Sequence, residues 1–332
     1  MLRLALLLTL VSAGGCTVMG SPICTDDTPQ IVKTVAGPED IVRLDLSDGE
    51  VGLFVREVSR IGYVDVRSGW AGAPTKPAWS PPDSPKSKLL GMSLVPGPAP
   101  GSGTLYVIDK AKAVRIWRLT IKDSKVVGHH LHYPEEGQSA RALENANDLH
   151  ATGETLYVTR FDWLGGLRSG RDWPGVVRVG PGSAVERLAP GVRGANGIVQ
   201  GRGQTLVVSD YWEQRLRLVD ATDTTQEAGY ATARLDISPD NLTRHGSTIF
   251  IAGQRHPALV FANFGMQSLP SPSAIYMINV DDLGPDAQPR LVWASGARGR
   301  SESVAVPVPG GLAIGRIKTR NLLLVRCELP TS

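Results

Sequence analysis

The chain has only three cysteines, Cys16, Cys24 and Cys327, in 332 residues. None forms a Cys-x-x-Cys pair, so a zinc-ribbon reading has no basis. The Gly-x-Ser-x-Gly elbow and the phosphate-binding P-loop are missing as well, which removes serine-hydrolase and nucleotide-binding readings. Long Lys/Arg runs are also missing, and the formal charge is only +3. That leaves no electrostatic case for a nucleic-acid partner. The apolar stretch at residues 4–12, behind Arg3, is too short to span a bilayer as a mature helix.

Apolar residues make up 42% and charged residues 20%, proportions of a folded chain with a large core. Gly 37 and Pro 24 favour many short strands and turns over long helices. The N-terminal stretch reads as an export signal ending in Ala13-Gly14-Gly15-Cys16. Small residues ahead of a cysteine resemble the bacterial lipoprotein signal, although Ala13 stands where that signal prefers Leu. The resemblance implies removal of residues 1–15, lipid on Cys16, and attachment to the cell envelope by that anchor alone, on the periplasmic or outer-membrane side. Cleavage after Ala13, with secretion, is the alternative. With Cys16 lipidated, Cys24 and Cys327 are an even pair in an oxidising compartment. They can form a disulfide there or remain two free thiols.

One unit recurs along the chain. Apolar anchors stand at Leu53, Leu105, Leu156, Leu206, Ile249 and Leu312, at intervals of 52, 51, 50, 43 and 63 residues. Each follows a short strand and a Gly- or Asp-rich turn, the pattern of a hairpin. Several are followed by a strand with period-2 alternation, as in Arg215-Leu216-Arg217-Leu218-Val219. Repeats of about 50 residues, each a four-stranded meander, are propeller blades. We therefore expect an all-β fold: one six-bladed β-propeller of four-stranded blades over residues 34–332, closed between its N- and C-termini. Residues 16–33 are expected to be a linker. Two stretches break the rhythm. Residues 66–88 read as a long connection between blades one and two, and residues 161–174 as an interruption of blade three.

The first strand of each propeller blade lines the central channel, so the six strand starts converge at one mouth. Here they are Glu39-Asp40, Gly91-Met92, Asn147-Asp148, Asn196-Gly197, Asp240-Asn241 and Glu302-Ser303. Taken singly, an Asn-Asp pair is a turn or strand cap. In register, Glu39, Asn147, Asn196, Asp240 and Asn241 offer side-chain oxygens and two negative charges. Oxygen donors with no sulfur or imidazole select a hard cation such as Ca²⁺.

Five segments carry a family resemblance: Gly37-Pro38-Glu39-Asp40-Ile41, Asn147-Asp148-Leu149, Ala195-Asn196-Gly197-Ile198, Asp240-Asn241-Leu242 and Ala252-Gly253-Gln254-Arg255-His256-Pro257. In this order, with an ending at Cys327-Glu328-Leu329, the chain resembles the serum paraoxonase/arylesterase family. That family sits among the SMP-30/gluconolactonase-like six-bladed propellers. The resemblance implies calcium-dependent hydrolysis of lactones or aryl esters by a monomer acting on a small-molecule substrate. It implies a catalytic Ca²⁺ at Glu39, Asn147, Asn196, Asp240 and Asn241. A second, structural Ca²⁺ is implied at Asp40 and Asp148, with a backbone carbonyl near Ala111. It also implies a ring-closing Cys24–Cys327 disulfide, worth about 4–5 kcal/mol by loop-closure arithmetic.

The chain departs from the family at the proton-transfer residues. Where a histidine of the family pair would fall, in Val107-Ile108-Asp109-Lys110, stands Lys110. A lysine acts as base only if desolvation or a nearby metal charge favours its neutral form. The second histidine is expected at His129 or His130, within a cluster that reads equally as solvent-exposed. His256 matches a histidine on the family's site wall. Two further readings follow: a calcium-stabilised propeller that binds a ligand or partner without catalysis, and a sugar-lactone hydrolase of the gluconolactonase type.

Overall fold

The structure, a computed structural model, describes residues 21–330 except 26–28, 35–36, 68–69, 71–73, 83–86, 112, 135–138, 163–174, 183–184, 189–191, 193, 226–227, 257–269, 297–298 and 318. Cys16 and the expected export signal lie outside the described residues. Among the described residues, strands form six four-stranded antiparallel sheets. Successive innermost strands touch one another around the whole ring, and the last touches the first. This is a six-bladed propeller.

The innermost strands, in blade order, are Ile41–Asp45, Leu89–Pro96, Ala146–Thr152, Ala195–Gln200, Ser238–His245 and Glu302–Val308. The anchors occupy the second strands: Val51–Glu57, Gly103–Lys110, Thr155–Arg160, Thr205–Asp210, Thr248–Gln254 and Gly311–Arg316. A second strand is covered by neighbouring blades on both faces, which is why its sequence reads as a continuous apolar run. Val51–Glu57 is buried at every position. The core consists of layers between blades. One packs Leu44 and Phe54 of blade one against Met92 and Leu105 of blade two. Another packs Val51 and Val304 across the closure of the ring.

Closure uses both ends of the chain. Gln30–Lys33 pairs antiparallel with Asn321–Arg326 and becomes the outermost strand of blade six. The stretch expected as a linker over 16–33 therefore ends in a blade strand. Cys24 and Cys327 form a disulfide beside that seam, and Cys24 is buried in the layer between blades five and six. The expected connection at 66–88 is also partly structured, because Lys76–Trp79 is the outermost strand of blade one. Of the interruption at 161–174, only Phe161 and Asp162 are described.

The strand starts of blades two to six are bulged. In blade three, pairing jumps from Ala146↔Arg160 to Leu149↔Val158, so Asn147 and Asp148 together oppose Thr159. In blade four it jumps from Ala195↔Asp210 to Ile198↔Val208, placing Asn196 and Gly197 opposite Ser209. Blade five does the same with Asp240 and Asn241. A bulge frees two consecutive residues from strict alternation and re-aims their side chains. In blades three and four the hydroxyl opposite the bulge satisfies freed backbone groups. Thr159 Oγ1 accepts from Asp148 N at 3.0 Å and donates to the next blade at Asn196 O. Ser209 Oγ accepts from Gly197 N at 2.6 Å and donates to Asp240 O, also at 2.6 Å.

Candidate functional site

A cavity of about 610 Å³ opens at the mouth where the bulged starts converge. Glu39, Asn147, Asn196, Asp240 and Asn241 all line it, as does Asp40. A second cavity of about 400 Å³ occupies the other end of the channel, and Asp40 and Asp148 line that one. The two residues of the blade-three bulge face different ways. Asn147 looks into the mouth, and Asp148 looks down the axis.

Glycines at two of the starts, Gly91 and Gly197, make room for the neighbouring blade. A side chain at Gly91 would place its Cβ 2.2 Å from Asp148 Oδ1 and 2.4 Å from Asp148 Cα. At Gly197 it would lie 2.6 Å from Asp240 O. Only glycine permits the bulges of adjacent blades to approach this closely. In blade six, Glu302 is fully buried and bonded to Arg316 at 3.1 Å, so its carboxylate is committed away from the mouth. Ser303 does reach the cavity, and its hydroxyl donates to Glu39 O at 3.1 Å.

The carboxylates on the axis are deeply buried. Asp40 accepts from Ile41 N at 2.8 Å and from Met92 N of the next blade at 2.6 Å. Asp148 accepts from Leu149 N at 2.8 Å and from Ile198 N of its next blade at 3.1 Å. Burial raises Asp40 to about 6 and Asp240 to about 7, against opposing hydrogen bonds from Met92 and Gln254 respectively. Asp148 is raised well above the ordinary carboxylate range, first by burial and then by the charge of Asp40. Burying several carboxylates together is costly without a counter-charge, and a divalent cation would supply it.

The donor set fits such an ion in chemistry. Among the described residues, no three Asp, Glu, His or Cys side chains converge closely enough to chelate a metal by themselves. Any site here therefore depends on amide oxygens, and three asparagines supply them beside Glu39 and Asp240. Hard oxygen ligands of low total charge suit Ca²⁺. Asn147 Nδ2 and Asn196 Oδ1 are in direct contact, and turning the Asn147 amide over brings both oxygens to one point. Gln254 Oε1, buried on the same lining, has no hydrogen-bond partner among the described residues. Its Nε2 holds Asp240 Oδ2 at 2.8 Å.

Arg56, Gln254, Lys88 and the aromatic wall were not among the expected site residues. Arg56 is 2% exposed; it pairs with the Glu39 carboxylate and donates to Gly37 O at 3.2 Å. Its signal was present in the sequence: two charged residues, Arg56 and Glu57, end a strand that is otherwise apolar. Charged side chains are buried this fully only when paired. Thr159 and Ser209 likewise stand as polar residues near the ends of their anchor strands. The wall is built by Phe161 and Tyr211, whose rings meet edge to face at 5.5 Å, with Leu90 and Ile317 nearby on the lining.

The histidines are elsewhere. His129 and His130 lie on Lys125–Tyr133, the outermost strand of blade two, and are exposed at the propeller rim. His129 stands beside the rings of Trp79 and Trp117, at 6.2 and 6.0 Å, and His130 is paired in register with Arg118. Neither reaches the cavity, because three strands separate that edge from the channel. His256 is exposed just after the second strand of blade five and does not line the cavity among the described residues. Of the expected proton-transfer residues only Lys110 lines it. Trp117 is a core residue, with its Nε1 donating to Asp109 at 3.2 Å.

No family profile matches the sequence, and no curated protein matches it. Solved structures do match in shape. A presumed gluconolactonase superposes with a TM-score of 0.54 at 14% identity, over 92% of this chain and 94% of its own. The PQQ-bound aldose sugar dehydrogenase of Streptomyces coelicolor gives 0.57 at 17% identity, over 91% and 98%. Luciferin-regenerating enzyme gives 0.53 at 12% identity, over 91% and 98%. At such identities the likeness is one of fold alone, the six-bladed propeller.

Proposed function

We propose that the chain is a calcium-dependent hydrolase of lactones or aryl esters, of the paraoxonase/arylesterase kind, exported and held at the cell envelope by lipid on Cys16. The observation that carries this reading is the convergence of Glu39, Asn147, Asn196, Asp240 and Asn241 on a single cavity. The buried disulfide supports export to an oxidising compartment, and no helix among the described residues is long and apolar enough to cross a membrane.

The five donors would hold the catalytic Ca²⁺, and Asp40 and Asp148 a structural one. The bound catalytic ion would supply Lewis-acid polarisation of the ester carbonyl and stabilise the resulting oxyanion. Glu39 and Asp240 carry the negative charge of the set. Gln254 fixes the rotamer of Asp240 through its Nε2. Asn241 is oriented through its Nδ2, which donates to Glu39 O at 2.7 Å. Phe161, Tyr211, Leu90 and Ile317 form an apolar seat for the acyl or aryl part of the substrate and restrict water around it. The lining carboxylates offer an acceptor for the proton of the attacking water. Lys110 lines the same cavity from its exposed rim.

A second reading draws on the same observations: a calcium-stabilised propeller that binds its ligand without turning it over. The Arg56–Glu39 pair favours it, since a guanidinium already engages one of the donors. Hydrolysis of a panel of γ- and δ-lactones and phenyl acetate, with and without EDTA, separates the two. The hydrolase reading expects turnover that EDTA abolishes and added Ca²⁺ restores. Chelator-insensitive or absent turnover across the panel would leave the binding module. Preferential turnover of sugar lactones would place the chain with the gluconolactonase type.

A further inference from the structure

Lys88 and Lys110 stand side by side on blade two at the wall of the cavity. Lys88 directly precedes the innermost strand Leu89–Pro96, and Lys110 ends the second strand Gly103–Lys110. Beyond the pair Leu89↔Asp109, Lys110 N donates to Lys88 O at 2.9 Å, so the two residues face each other across the ladder. Both line the mouth cavity and both are exposed. Like charges directly opposite on adjacent strands are destabilising. The nearest carboxylate in sequence does not relieve them: Asp109 is fully buried and committed to Arg115 at 2.6 Å and to Trp117. Neither lysine has an anionic partner among the described residues.

The lysines also share the cavity with the cation site. Of the charged residues lining it, Arg56, Lys88 and Lys110 are basic and Glu39, Asp40, Asp162 and Asp240 acidic. One divalent cation turns that balance from one negative to one positive. The metal-loaded cavity is then positive overall, and the two lysine charges lie together on one wall near the apolar seat.

We propose that Lys88 and Lys110 form an anion-binding subsite, and that the preferred substrates are esters or lactones carrying a carboxylate. This rests on the ester-hydrolase reading and adds the class of substrate to it. The paired ammonium groups receive the carboxylate, the aromatic wall receives the acyl or aryl body, and the reacting carbonyl faces the oxygen-donor ring.

Two aryl acetates that differ by one para carboxylate test it, 4-acetoxybenzoate and phenyl acetate, together with calorimetric titration of benzoate into the calcium-loaded full-length protein. The variants are the double substitutions Lys88→Met/Lys110→Met and Lys88→Arg/Lys110→Arg. Wild type is expected to favour 4-acetoxybenzoate in kcat/KM. The methionine variant is expected to lose that preference by about tenfold, the effect of two rim charges together. The arginine variant is expected to retain most of it. Benzoate affinity should fall by a similar factor in the methionine variant and weaken with salt in wild type. If neither ester is hydrolysed, the catalytic reading fails, and the benzoate titration alone decides the subsite. Equal benzoate affinity in wild type and the methionine variant, or no benzoate binding by wild type, overturns the proposal.

Discussion

Asp240→Asn is expected to reduce ester or lactone turnover by about 10³-fold while leaving the calcium-free protein at least as stable as wild type. Asp240 supplies one of two negative charges in a set otherwise made of amides, so its loss removes much of the attraction for a divalent ion. In the proposed hydrolysis the cation it helps to hold would stabilise the developing oxyanion, and losing such stabilisation commonly costs roughly 10²–10³ in rate by itself. Stability should move the other way. Asp240 is 8% exposed, and burial has pushed it to about 7, the mark of a carboxylate whose charge is held against desolvation. Asparagine keeps an oxygen for the Gln254 amide and drops the charge. In EDTA the variant should therefore melt no lower than wild type. A variant that unfolds, or one that keeps full activity, would remove Asp240 from the site.

Loss of the disulfide is the largest expected effect on stability. Cys24 and Cys327 are 303 residues apart, so the bond closes almost the whole ring. In the chain-entropy model a loop of that size is worth about 5 kcal/mol, which corresponds to roughly 8 °C in Tm for a chain of this length. Without it, the seam depends on the pairing of Gln30–Lys33 with Asn321–Arg326 and on the packing of residue 24 against Trp293 and Val325. The Cys24→Ser/Cys327→Ser variant is expected to melt lower by that amount and to be clipped first by protease near residues 21–33. Mass mapping that finds free thiols in wild type, with the variant melting where wild type does, would contradict this.

The parts of the fold that were legible in the sequence are those whose burial is dictated locally. A second strand lies between two blades, so Leu53, Leu105, Leu156, Leu206, Ile249 and Leu312 had to be apolar and evenly spaced, and all six are completely buried. The channel residues were legible for the same reason, because the start of each repeat fixes the start of each innermost strand. The blade edges were not. Lys76–Trp79 is four residues with a proline, and Glu186–Arg187 and Gly229–Tyr230 are two residues each. Edge strands this short and exposed carry no hydrophobic pattern to read. Gln30–Lys33 finds its partner almost three hundred residues away, and no local signal states that.

The site divides in the same way. The oxygen donors follow from the repeat, whereas Arg56 and Gln254 come from the ends of second strands, where the chain leaves the core and enters the cavity. The His129 and His130 expectation failed because it was carried by similarity of segments and not by the repeat. The strand count alone puts those residues on the fourth strand of blade two, at the rim. Lys110, counted in the same way, ends a second strand and does line the cavity.

Calcium binding by the ring of oxygen donors can be measured by calorimetric titration of Ca²⁺ into the EDTA-stripped full-length protein. Wild type is expected to bind with saturation at two sites and to melt at a higher temperature as they fill. Asp240→Asn should weaken the catalytic site and spare the one at Asp40 and Asp148. Wild type that shows neither heat nor a change in Tm at about 10 mM Ca²⁺, above the roughly 10⁻⁴–10⁻³ M range of extracellular calcium modules, would contradict the account.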